Sequence, residues 1–173
     1  MFFELVGTVM AGLAAGLLVF AVRRFAPERL PKWLIPAAAG GAMIAAAVSS
    51  EYGWYGRTTD RLPEGFVVAQ SVEESSFYRP WTYAVPLKAR FVAVDRAGAK
   101  THPDFPGQRI VDLYFYGRWQ PVQSIPVLFD CAGDRSVVIA GGTEFGPDGA
   151  VSDPQWEAMP PDDPVLEAAC GEA

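Results

Sequence analysis

One histidine and two cysteines are present among 173 residues, and no lysine or arginine precedes Arg23. A single histidine, His102, without thiols or carboxylates at ligand spacing makes a poor metal site. It could act as a base with Asp104, although a proline-flanked loop histidine is by default simply solvated. Nucleophile motifs such as G-x-S-x-G and S-x-x-K are missing. Gly141-Gly142-Thr143 and Gly146 to Gly149 read as turns, because no strand-to-helix switch with a lysine follows them. Asp148, Asp153, Asp162 and Asp163 lack EF-hand spacing. These absences point to a chain without metal or cofactor and without catalysis.

Charge is missing from two long stretches. Leu5 to Val22 and Trp33 to Ser50 are each eighteen residues long and carry no ionisable side chain. As helices, each run would be ~27 Å long, against a hydrocarbon core of ~30 Å. A cleavable signal peptide would have basic residues before the apolar run, whereas here Glu4 precedes it. Buried helices of a soluble bundle would need polar faces, and Thr8, Ser49 and Ser50 are the only hydroxyls in the two runs. The pattern predicts a membrane hairpin.

Between the runs lie four cations, Arg23, Arg24, Arg29 and Lys32. The positive-inside rule places this short loop in the cytoplasm and both ends of the hairpin outside. Interfacial aromatics agree with that placement: Trp33 at the inner end of the second span, and Tyr52, Trp54 and Tyr55 at its outer end. Thr8, Gly12 and Gly16 recur every four residues, as do Ala37, Gly41, Ala45 and Ser49. Small residues at this spacing let helices approach closely in lipid, so the two ladders are expected to face each other. Leu13, Leu17, Phe20, Leu34, Met43, Ile44 and Val48 are left for lipid or a partner. No ionisable group lies at mid-membrane, which argues against a proton or ion path.

The expected organisation is therefore an anchor over residues 1–55 and a domain over 56–173. The spans cover about 3–22 and 33–52, around a loop at 23–32. Gly53 and Gly56 suggest that the second helix frays there. The domain reads as five or six antiparallel strands in a small sheet or sandwich. Phe66 to Val72, Arg90 to Asp95, Arg109 to Tyr116 and Ser136 to Ala140 have strand composition. Phe77 to Tyr83 is an aromatic extended segment interrupted by Pro80, and Ala97 to Gly107 is a polar loop. Pro121 and Pro126 suggest that Trp119 to Asp130 is an edge strand with a bulge, paired as a hairpin with the strand before it. Pro164 suits the first position of a short helix ending near Cys170.

Basic groups are scarce at the end of the chain. Residues 130–173 hold ten acidic side chains and one basic one, Arg135, and end in a Pro- and Gly-rich tail (about 141–173). Nucleic-acid binding, which needs a basic footprint, is not expected. Such a tail could steer a basic soluble partner, for example a c-type cytochrome. Cys131 and Cys170, an even pair on the oxidising side, are expected to form a disulfide.

Abundant Ala, Gly, Pro and Arg are compatible with a GC-rich bacterial genome. The expected setting is a bacterial inner membrane with the domain periplasmic. The expected role is a non-catalytic accessory or assembly subunit of a larger respiratory or photosynthetic complex. Its partners would be membrane lipid and other integral membrane subunits. The alternatives are a stand-alone periplasmic binding or envelope module, and an anchored enzyme whose site no motif reveals.

Overall fold

The computed structural model describes residues 2–25, 30–139, 146, 151 and 155–171. Two long apolar helices come first: α1 (Phe2–Phe25) and α2 (Leu34–Thr59). The second helix runs through Gly53 and Gly56 instead of fraying there. Arg57 reaches back to donate from Nη2 to the Ser50 carbonyl at 2.9 Å. Its guanidinium lies over Gly53, where any Cβ would collide with it. Gly53 thus provides clearance for a bond that supports the last turns of the helix. The chain divides into two units, Met1–Arg57 and Thr58–Ala173.

Strands β1 (Phe66–Glu74), β2 (Leu87–Asp95), β3 (Lys100–His102) and β4 (Phe105–Gly117) open the second unit. Strands β5 (Gln120–Asp130), β6 (Arg135–Val138) and β7 (Glu157–Ala158) follow, and then a short helix, α3 (Pro164–Cys170). All strand pairs are antiparallel, in the order β1-β2-β4-β5-β6-β7, with β3 also beside β4. The sheet forms a half-barrel.

Among the described residues the sheet has seven strands instead of the expected five or six, and three further expectations for this unit need correction. Ala97 to Gly107 is not all loop, because Lys100–His102 turns back on β4, with Lys100 opposite Ile110. Phe77 to Tyr83 is not a strand: it holds a 3-10 turn over Pro80–Tyr83, which Pro80 opens and Thr82 braces. Nor is β5 an edge strand throughout, since Val127–Asp130 pairs with β6. Pro126 is tolerated there because its carbonyl accepts from Ile139 N at 2.9 Å, on the β6 side. In an antiparallel ladder a residue's N–H and C=O point the same way, so the missing N–H leaves the β4 pairing intact.

Alternation along the strands sorts the core. Val94, Val111, Leu113, Val127 and Phe129 share one face and pack with Leu166, Ala168 and Ala169 of α3. The other face carries Phe91 stacked on Tyr116 (centroids 4.7 Å apart) and Phe66 against Tyr114. Both ends of α3 are tied. Asp163 accepts from Val165 N at 2.8 Å and from Leu166 N at 3.2 Å as its N-cap, and Pro164 follows. At the C-terminus, Arg96 Nε donates to the Ala168 carbonyl (2.5 Å) and Arg109 Nη1 to that of Ala169 (3.2 Å). Two guanidinium groups on the last carbonyls suit the negative end of a helix.

Candidate functional site

In the first unit the seam between the helices is antiparallel and narrow. Gly12 and Gly16 are the buried residues of α1. A Cβ on Gly12 would lie 2.5 Å from Met43 Cγ and 3.2 Å from the Ala39 carbonyl. A Cβ on Gly16 would lie 3.5 Å from Ala39 Cβ and 3.9 Å from Ile35 Cγ2. At the open end of the hairpin, Ser50 Oγ donates to Glu4 Oε1 at 2.9 Å, and Thr8 Oγ1 donates to the Glu4 carbonyl. At the turn, Arg23 Nε donates to the Leu30 carbonyl at 3.0 Å. Arg24 and Lys32 are exposed, and Arg29 lies outside the described residues.

The helix-2 ladder read from the sequence is not in this seam. Ala37, Gly41, Ala45 and Ser49 are all exposed, and nothing lies within 4 Å of a Cβ on Gly41. Ile35, Ala39, Met43 and Ser50 face α1 instead. Met43, read as outward-facing, fills the gap above Gly12. The reason is compositional: α2 has small residues on every side, so their spacing alone cannot single out a face. Met43 and the Glu4–Ser50 hydrogen bond do so.

The outward surface of the hairpin is apolar. Leu13, Leu17, Leu18, Phe20 and Ile44 are each more than half exposed. Both helices are long and apolar enough to cross a membrane by length and composition, and 11% and 0% of their apolar windows are buried. Of the interfacial aromatics, Trp33 is exposed, while Tyr52, Trp54 and Tyr55 are half-buried along the last turns of α2.

Among the described residues of the second unit, two concavities stand out. One, of about 310 Å³, lies at the β3–β4 hairpin and is lined by Lys100, His102, Phe105, Gln108, Ile110 and Leu128. His102 Nδ1 accepts from Asp104 N at 3.3 Å and stands 3.6 Å from Asp104 Oδ2. Phe105, Ile110 and Leu128 give this cleft an apolar floor. The other, of about 480 Å³, lies at the Gly117 end of the sheet between Val72, Arg90, Val92, Phe115, Gln123 and Ile125. Burial, and then the neighbouring Tyr114, raise the Tyr116 pKa above its ordinary 10.0.

Cys131 and Cys170 are joined, with sulfurs 1.97 Å and Cα atoms 5.7 Å apart. Acids of the 130–173 stretch have structural partners. Asp163 caps α3, and Asp130 accepts from Arg135 Nε and Nη2 at 2.8 and 2.7 Å. Glu144, Asp148, Asp153 and Glu172, like Gly141, Gly142 and Thr143, lie outside the described residues. No cluster of three or more His, Cys, Asp or Glu side chains suited to a metal occurs among the described residues. No family model, curated protein or solved structure matches the chain.

Residues that sequence reasoning missed fall into two groups. Ile35, Ala39 and Met43 carried no signal, being ordinary apolar residues in an apolar run. Arg96 and Arg109, at the ends of strand segments, act as clamps on α3 and carried no sequence signal of that contact.

Proposed function

We propose that this chain is a membrane-anchored, non-catalytic accessory or assembly subunit of a larger bacterial inner-membrane complex of the electron-transfer kind. Its hairpin spans the bilayer with the Arg23–Lys32 loop cytoplasmic, and its β domain lies outside. The observation that carries the reading is the outward face of α2. A ladder of small residues, Ala37, Gly41, Ala45 and Ser49, is exposed while the seam with α1 is filled by other residues. In lipid such a ladder is where another helix can approach closely. The exposed leucines and phenylalanines support a bilayer setting, since each one left in water forgoes about 1.5–3 kcal/mol of burial.

The test is purification in mild detergent through a tag, followed by mass spectrometry. The subunit reading requires other integral membrane proteins to copurify with the wild type and to be lost with Gly41→Leu. Recovery of the wild type as a lone monomer would refute it. Reporter fusions to the Arg23–Lys32 loop and to the β domain test the topology independently.

A second reading, a binding module for a small, largely apolar ligand, draws on the cleft beside His102. It requires that hydrophobic ligands protect the Leu128 region from exchange, and that Ile110→Trp abolishes this protection.

A further inference from the structure

Between β1 and β2 the chain makes an excursion over residues 75–86 that is short, braced and aromatic. Thr82, 2% exposed, is its internal strut: Oγ1 donates to the Arg79 carbonyl at 2.7 Å and accepts from Ser76 N at 2.9 Å. Arg79 N also donates to the Ser76 carbonyl at 2.9 Å, closing the preceding turn. Around this strut the large side chains point outward. Phe77 is 91% exposed, Tyr78 71%, Tyr83 65%, Val85 58% and Trp81 47%. A braced turn that holds five bulky apolar groups in solvent does not serve its own core.

The charges nearby have one predominant sign. Between Ser75 and Val94 the sequence carries Arg79, Lys88 and Arg90 and no acidic residue. The β4–β5 turn ends at the same end of the sheet, since Arg90 pairs with Gly117, and adds Arg118 stacked over the exposed Trp119. Glu73, opposite Lys88, and Glu74 are the acids at this end. Aromatic rings interleaved with cations match a bilayer interface: Trp and Tyr settle at the headgroup level, and Lys and Arg meet anionic phosphates.

We infer that the 75–86 loop, with Trp119, docks on the surface of an anionic lipid bilayer. This inference rests on the membrane-anchored reading above and adds a second, peripheral attachment to it.

The test uses the full-length oxidised protein in vesicles, with single nitroxide labels at Phe77→Cys, Tyr83→Cys, Leu17→Cys or Val138→Cys, all exposed positions. Relative accessibility to oxygen and to a water-soluble nickel chelate reports lipid against water. In vesicles containing phosphatidylglycerol, positions 77 and 83 are expected to be several-fold more lipid-exposed than 138, and less so in purely zwitterionic vesicles. Labels at 77 and 83 that match 138 in both lipids, while 17 reads as lipid, would overturn the loop inference and leave the anchor standing. A water-like reading at 17 would overturn the anchor itself. Shielding of 77 seen only in native membranes, with a protein crosslinked to it, would assign the surface to a protein partner and overturn lipid docking.

Discussion

Removing the Cys131–Cys170 bond by the double substitution Cys131→Ser/Cys170→Ser should lower the melting temperature of the β domain by about 17 °C. The bond joins residues 39 apart, and the chain-entropy relation assigns such a closure about 4 kcal/mol. The unit that feels it, Thr58–Ala173, has about 116 residues. At roughly 2.1 cal/mol/K per residue its unfolding entropy is about 240 cal/mol/K, and dividing one by the other gives the shift. The same bond fixes α3, whose Leu166, Ala168 and Ala169 complete the core, so partial detachment of the helix would add to the loss. The assay is thermal unfolding in mild detergent followed by near-ultraviolet circular dichroism, which reads the packed Phe91–Tyr116 and Phe66–Tyr114 rings. Each single serine variant should match the double, because either one removes the link. A shift below about 4 °C, worth about 1 kcal/mol, would refute the reasoning. It would mean that the Arg96 and Arg109 clamps hold α3 without the covalent tie.

Other predictions concern separate parts of the molecule. Gly12→Leu should loosen the hairpin by at least about 1–3 kcal/mol, because its side chain enters the space of Met43 and the Ala39 carbonyl. Gly41→Leu should leave hairpin stability unchanged, and equal effects in detergent unfolding would contradict the seam described here. Asp163→Ala should cost the β domain about 1 kcal/mol through the lost N-cap of α3, read by the same melts. In an ultraviolet titration Tyr116 should ionise above the ordinary value of 10.0. Its folded pKa lies above the unfolded 10.0, so its contribution to stability is intact below pH 10 and is lost as pH rises through the folded value. Tyr116→Phe should shallow the alkaline fall in melting temperature.

The two helices, the antiparallel sheet and the cysteine pair were legible because each depends on local composition or on a count. Eighteen uncharged residues leave few alternatives to a long helix, and two cysteines allow one intramolecular pairing. The facing side of α2 was not legible, because alanine and glycine occupy all sides and only the docking of Met43 over Gly12 distinguishes them. The continuation past Gly53 was hidden for a different reason. Glycine normally weakens a helix by about 1 kcal/mol, and here it creates the channel that Arg57 crosses to reach Ser50. The 3-10 turn at Pro80–Tyr83 depends on one hydroxyl, Thr82, bonding back to Arg79. Aromatic composition there suggested a strand, and a side-chain hydrogen bond decided otherwise.

The link between α3 and the sheet also decides what the core leaves uncovered. Cys131 lies just beyond β5, and its partner lies in the element that covers Val111 and Phe129. Without α3 those residues would lose their cover, so the disulfide ties the lid of the core to the strand end beside it.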